Sequence, residues 1–310
     1  MKIKDIKKIG VVGAGTMGHS VALSFSLWGY PTILNDVSDD ILNNAMKRIR
    51  SDLGTFVEEE VITHQQADDT LGRITTTSDL TLLAREVDYV CENIIELIQE
   101  KKELFNKLDA LCPPHTILAS NTSSLVLSEF GSDVKRQDKI VITHYFNPPH
   151  IMPCVEVVKG HGTSDETFNM TYELLEKVKK MPVRVLKELP GHMVNRIQDA
   201  MYREIYYLWS KGVASIEDID RAVKGSFGFR LATIGPLLNK DLSGIHKQVP
   251  RPAKALGFLF RELSDAKEIP EKLNKYLESR RSFYKYSNEK WEQIIKQRDK
   301  EFLHRLKQLY

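Results

Sequence analysis

Through roughly the first 190 residues, short unbroken apolar runs alternate with stretches whose apolar positions return every three or four residues. The runs occupy 8–12, 32–36, 73–77, 87–92, 116–121, 139–146, 154–159 and 183–186. Their length and the turn residues that bound them read as buried strands. Helical text lies between them, from His19 to Gly29, from Ser38 to about Leu53, and from a capping box at Thr163-x-x-Glu166 to about Lys180. This alternation predicts an α/β fold of the doubly wound type, a mainly parallel sheet with helices on both faces. The stretch His144-Tyr145-Phe146-Asn147-Pro148-Pro149 leads instead through Met152-Pro153 straight into 154–159. A hairpin centred near His150 sets residue 144 opposite residue 156, with Cβ atoms roughly 5 Å apart.

Leu189-Pro190-Gly191 breaks the pattern, and the chain beyond it reads as helical to its end. Val194, Ile197, Met201, Ile205 and Leu208 recur at helical spacing, Ser215-x-x-Asp218 caps a further helix, and Gly235-Pro236 marks a break and restart. The last stretch places Trp291, Ile294, Ile295, Phe302, Leu303 and Leu306 on one face. Such a helix packs on its own protein or on a partner subunit. The sequence therefore divides into a sheet domain, 1–189, and an all-helical domain, 190–310.

The first run ends in Gly13-Ala14-Gly15-Thr16-Met17-Gly18. In a strand–turn–helix setting each glycine has its own reason: Gly13 turns the chain tightly, Gly15 lets a pyrophosphate approach the backbone, and Gly18 lets the helix pack close to its strand. The second strand ends on Asp36, where a ribose 2′-hydroxyl needs an acceptor, and no Lys or Arg follows until Lys47. This is the Rossmann-type pattern for NAD rather than NADP.

Composition adds limits. The 310 residues are 42% hydrophobic and 28% charged with a net charge of +2, which gives no electrostatic case for nucleic acid or an anionic membrane. Cys91, Cys112 and Cys154 are too few and scattered for a disulfide framework or a metal knuckle, so no metal is expected. The N-terminus enters the first strand at once, and no apolar run approaches membrane-spanning length, so a cytoplasmic enzyme is the default expectation.

Ligands of doubly wound sheets bind past the carboxyl ends of the strands. That singles out residues 92–96, 120–124 and 144–147. Oxidising an alcohol needs a base whose pKa lies near working pH, and among nine histidines His144 has the best place, at a strand end with Glu156 opposite to hold its ring.

These residues, with Glu92-x-x-x-Glu96, Ser120-Asn121-Thr122-Ser123-Ser124, Val155-Glu156-Val157 and Pro190-Gly191-x-x-x-Asn195-Arg196, resemble the L-3-hydroxyacyl-CoA dehydrogenase family. The resemblance runs in order from about residue 8 to residue 240. It implies a homodimer built through the helical domain, His144 as general base with Glu156 as its partner, and Ser123 and Asn195 binding the substrate's oxygens. It also implies that Glu96, Lys101, Ser123 and Asn147 lie along the NAD site. Read without it, Ser123 could cap a helix, Asn195 could serve local hydrogen bonding, Lys101 could belong to a solvated face, and Glu96 could cap the helix that follows.

Departures from the family pattern concern the substrate. The family's CoA users present basic residues on the helical excursion of the NAD domain. Here 51–72 carries Asp52, Glu58, Glu59, Glu60, Asp68 and Asp69 and no Lys or Arg. The segment from Gly225 to Pro236 is longer than the CoA type and contains Arg230, whose guanidinium suits a free carboxylate. Arg281-Ser282-Phe283-Tyr284-Lys285-Tyr286 lacks the family's glycines. Together these are similar to the branch that oxidises small free 3-hydroxy acids, such as L-gulonate or carnitine dehydrogenases and lens lambda-crystallin. The expectation is an NAD-dependent dehydrogenase of a 3-hydroxy acid, leaning to a free acid, with a 3-hydroxyacyl-CoA as the alternative. A non-catalytic NAD-binding protein needs the glycines and Asp36 but has no use for the His144 set.

Overall fold

A computed structural model of the chain describes residues 3–231, 233–242, 271, 275 and 286–307. Eight strands, Ile9–Val12 (β1), Thr32–Asn35 (β2), Ile74–Thr77 (β3), Tyr89–Glu92 (β4), Ile117–Ser120 (β5), Ile140–Tyr145 (β6), Cys154–Val158 (β7) and Met181–Val185 (β8), lie in the order β3-β2-β1-β4-β5-β6-β7-β8. Neighbours from β3 through β6 are parallel, β6 and β7 antiparallel, and β7 and β8 parallel. Strands β1, β2, β4 and β5 are buried at every position, as apolar runs must be when helices cover both faces. Successive residues feed opposite layers: Val11, Leu34 and Tyr89 join one core cluster, and Val12, Ile33 and Val90 the other.

Helices Gly18–Leu27 (α1), Asp39–Glu58 (α2), His64–Gly72 (α3), Leu80–Glu86 (α4), Ile98–Leu111 (α5), Leu127–Phe130 (α6) and Asp165–Lys177 (α7) connect the strands. Ser38 caps α2 by accepting from the Asp40 amide at 3.2 Å. The helix runs past Leu53, because Leu42, Ala45, Ile49, Leu53 and Phe56 keep one buried stripe going to its last turn. The cap of α7 is Ser164 rather than Thr163. Ser164 Oγ accepts from the Thr167 amide at 3.1 Å, while buried Thr163 donates its hydroxyl to the Ile140 carbonyl at 2.7 Å.

The chain clusters into two units, Met1–Asn195 with Glu289–Tyr310, and Arg196–Asn288. The first break thus falls in the opening turn of the helix Val194–Ser210 (α8), close to the turn at 190, and the chain's last segment rejoins the sheet unit. In the second unit, Ile216–Gly225 (α9) is capped by Ser215, which accepts from the Asp218 amide at 3.0 Å. Phe227–Leu231 (α10) and Pro236–Leu242 (α11) follow, with proline at the first helical position where its missing N–H costs nothing. The helical reading of 243–270 and of the Arg281–Lys285 stretch lies outside the described residues.

The final helix, Asn288–Leu306 (α12), packs on the sheet unit. Leu303 is fully buried in a cluster with Phe56 and Ile151, flanked by Phe302 and Leu306. Lysines on the same helix meet the acidic end of α2, Lys300 reaching Glu59 at 2.5 Å and Lys296 reaching Glu58 at 3.4 Å, and Lys307 donates to the Glu59 carbonyl. Carboxylates at a helix C-terminus oppose its dipole, and the tail lysines offset that cost. No described helix is long and apolar enough to cross a membrane.

Because exposed ion pairs contribute little and a buried leucine much, Leu303→Ala should loosen α12 by about 2–4 kcal/mol while Lys296→Ala changes little. Amide hydrogen exchange over 288–306 measures this; equal protection in both variants would remove the apolar anchor from the account.

Candidate active site

The parallel order brings the carboxyl ends of β1, β4, β5 and β6 side by side. At the end of β1 the loop Gly13-Ala14-Gly15-Thr16-Met17-Gly18 turns into α1. Gly13 has φ +91°, and a Cβ on it would lie 2.6 Å from the Asn93 carbonyl oxygen; a Cβ on Gly18 would lie 1.7 Å from the Gly13 oxygen. Only glycine fits either place. A Cβ on Gly15 would meet nothing within 4 Å, so that side of the loop faces open space. No side chain caps the start of α1, which leaves amides free for an anion. Asp36, at the end of β2, accepts from the Ala14 amide at 2.7 Å and the Val37 amide at 2.8 Å, and is half-buried with lone pairs left for a ribose hydroxyl. An open glycine face, an uncapped helix start and an acceptor beside them fit a dinucleotide.

The antiparallel register pairs His144 with Glu156. Both are buried, and His144 Nδ1 donates to Glu156 Oε2 at 2.7 Å. Since an ionised carboxylate only accepts, this partner assigns the proton to Nδ1 and leaves Nε2 as the basic nitrogen. Glu156 Oε1 accepts from the Met193 and Val194 amides at 3.0 and 2.9 Å, at the start of α8. Burial by itself raises the Glu156 pKa, but the bonds from His144 and these two amides outweigh it and hold the carboxyl below its ordinary value of 4.5.

A second set of bonds builds the loop after β5. Glu96 Oε1 accepts from the Ser123 amide at 3.0 Å, the Ser124 amide at 3.2 Å and the Thr122 hydroxyl. Its other oxygen meets Lys101 Nζ at 3.2 Å, and Lys101, buried in α5, meets Glu92 at 2.6 Å. Glu92 is completely buried, and desolvation pushes its pKa up even beside Lys101. Glu96 therefore organises the turn that presents Ser123, and Lys101 stands behind it rather than on a solvated face. Ser123 itself is exposed and caps no helix, since α6 starts at Leu127. Asn195 Nδ2 donates to the Ser123 carbonyl at 3.0 Å, a contact across 72 residues of sequence rather than a local one.

His144, Glu156, Ser123, Asn195, Glu96 and Lys101 thus form one connected set in the sheet unit. Asn147 is exposed, just before a cis bond to Pro148. Arg230 is exposed on α10 of the second unit. Sequence reasoning passed over His192, which is buried, has φ +52°, packs tilted against His144 with ring centroids 5.2 Å apart, and donates from Nε2 to the Thr122 carbonyl at 3.0 Å. The available signal was its place directly after Pro190-Gly191. Among the described residues no cluster of His, Cys, Asp and Glu suits a metal ion.

Comparison with known proteins agrees with this architecture. The model of the 3-hydroxyacyl-CoA dehydrogenase NAD binding domain matches residues 8–189, and that of the 3-hydroxyacyl-CoA dehydrogenase C-terminal domain matches residues 191–286. The chain belongs to the 3-hydroxyacyl-CoA dehydrogenase family. It is an NAD-dependent oxidoreductase of that family. The 3-hydroxybutyryl-CoA dehydrogenase of Bradyrhizobium diazoefficiens is 33% identical, over 92% of this chain and 97% of the relative. Among solved structures, that of 5-formyl-3-hydroxy-2-methylpyridine 4-carboxylic acid 5-dehydrogenase superposes with a TM-score of 0.88 at 25% identity, covering 96% of this chain and 97% of that one. The (S)-3-hydroxybutyryl-CoA dehydrogenase of Ralstonia eutropha is 31% identical with a TM-score of 0.67, over 71% of this chain and 77% of the other.

Because Glu156 is held ionised, its stabilisation is present above the ordinary carboxylate value of 4.5 and lost as pH falls below it. Glu156→Gln should therefore lose most stability near pH 7 and approach the wild type progressively as pH falls below 4.5. Urea unfolding across that range measures the difference; a gap independent of pH would mean the carboxylate charge is not what matters.

Proposed function

We propose that this dehydrogenase converts the 3-hydroxyl of a small free carboxylic acid to a ketone, with the buried His144–Glu156 pair as its proton acceptor; the 2.7 Å bond between them is the observation that carries the reading. The substrate hydroxyl gives its proton to His144 Nε2. Glu156 keeps the imidazole in the tautomer that leaves Nε2 bare and stabilises the imidazolium once it forms. The Met193 and Val194 amides keep Glu156 from turning away as that charge develops. Ser123, on the turn that Glu96 holds, and Asn195, anchored to the Ser123 carbonyl, orient the substrate oxygen. NAD bound along the β1 and β2 ends supplies the hydride acceptor, and the half-buried Asp36 receives its ribose hydroxyl.

Three observations support a free acid. The 51–72 excursion carries no Lys or Arg of its own for a phosphate, and the tail lysines beside it are engaged by Glu58 and Glu59. Arg230 supplies a guanidinium able to hold a carboxylate with two parallel bonds. The structure with a TM-score of 0.88 is that of an enzyme named for a free pyridine carboxylic acid. A CoA thioester is the second reading, favoured by the names of the relatives, such as the one from Bradyrhizobium. A homodimer is also proposed. In its support, α8, α9 and α10 bury no residue, while Ile197, Phe229 and Leu237 are exposed.

His144→Gln should lower NADH formation by about a thousandfold and leave NADH binding unchanged. Comparing free 3-hydroxybutyrate, L-gulonate and L-carnitine with 3-hydroxybutyryl-CoA decides the substrate class. Turnover of a free acid whose KM rises about tenfold or more in Arg230→Met supports the proposal. Turnover of the thioester alone replaces it with the CoA reading.

A further inference from the structure

The carbonyl of Gly15, in the middle of the dinucleotide loop, is held from inside. The backbone amide of His19 approaches it at the limit of a hydrogen bond, 3.5 Å, whereas the buried imidazole of His19 reaches it at 2.7 Å through Nδ1. A carbonyl only accepts, so Nδ1 carries the proton. The Gly15–Thr16 peptide is trans, so its C=O and N–H point in opposite directions. Drawing the Gly15 oxygen inward onto His19 therefore turns the Thr16 N–H outward. Gly15 and Thr16 are both exposed, and a Cβ on Gly15 would meet nothing within 4 Å, so the loop has room there for a ligand.

The far side of the His19 ring faces an acidic residue without a hydrogen bond to it. Asp52, on α2, has Oδ2 3.6 Å from His19 Nε2 and Oδ1 3.9 Å from His150 Nε2. His150 is in turn fixed by Ser20: its amide donates to Ser20 Oγ at 3.0 Å, and the Ser20 hydroxyl donates to His150 Nδ1 at 2.5 Å. That tautomer leaves the His150 Nε2–H facing Asp52. The dinucleotide loop, α1, α2 and the turn between β6 and β7 thus come together around the half-buried Asp52.

We propose that His19 is a positioning residue for the cofactor's pyrophosphate: by clamping the Gly15 carbonyl through Nδ1 it orients the Thr16 amide as an anion donor. The role is separate from proton transfer at His144 and from the identity of the substrate, because it is read by binding alone.

The test is the affinity of the full chain for NADH, ADP-ribose and adenosine, by nicotinamide fluorescence for the first and calorimetry for the other two. His19→Leu removes the donor at similar volume; His19→Asn can return a donor to Gly15 without the ring. We expect His19→Leu to weaken NADH and ADP-ribose about tenfold and adenosine, which has no pyrophosphate, less than about twofold, with His19→Asn recovering most of the loss. Thermal unfolding of each variant separates this from loss of fold, since a folded His19→Leu chain must still show the selective defect. Wild-type NADH affinity in His19→Leu, an equal loss for adenosine, or no recovery in His19→Asn would each overturn the clamp.

Discussion

A carboxylate with no access to water must find all its partners inside the protein, and Glu156 divides three of them between its two oxygens. One oxygen takes the imidazole N–H of His144, the other the amides of Met193 and Val194 where α8 begins. Neither arrangement stands alone. The bond from His144 and the two amides keep the carboxylate ionised against desolvation, the ionised carboxylate sets the tautomer of His144, and α8 starts where Asn195 reaches the Ser123 carbonyl. The proton acceptor and the segment that leads into the second unit therefore share one buried charge.

The same logic governs the neighbouring turn. Glu92, Lys101 and Glu96 form a chain of charges running from the sheet interior to the surface, and its outer end gathers the amides of Ser123 and Ser124. A buried ion chain of this kind is weak evidence for stability, because desolvation offsets much of its attraction. Its effect is geometric, since Glu96 joins Asn195 and His192 in holding the turn that carries Ser123.

The acidic stretch 51–72 takes on a different meaning once folded. Asp52 turns inward between His19 and His150, and Glu58 and Glu59 face the lysines of the chain's own last helix. Part of the negative charge thus answers to internal partners, and the cations beside this stretch come from the final helix rather than from 51–72 itself.

By itself the sequence determined the strand and helix pattern of the sheet unit, the dinucleotide loop with Asp36, and the facing of His144 and Glu156. These are legible because each follows from local periodicity, glycine sterics or two-residue strand arithmetic, all of which act over short distances along the chain. Tertiary structure alone decided that Lys101 is buried, that Glu96 gathers the Ser123 turn rather than capping α5, that His192 packs against His144, and that the final helix returns to the sheet unit. Each of these depends on which carbonyl, carboxylate or apolar surface lies across a gap of tens to hundreds of residues. A lysine in Glu100-Lys101-Lys102-Glu103 reads as solvated until two carboxylates close over it, because partners that distant leave no period or spacing in the sequence.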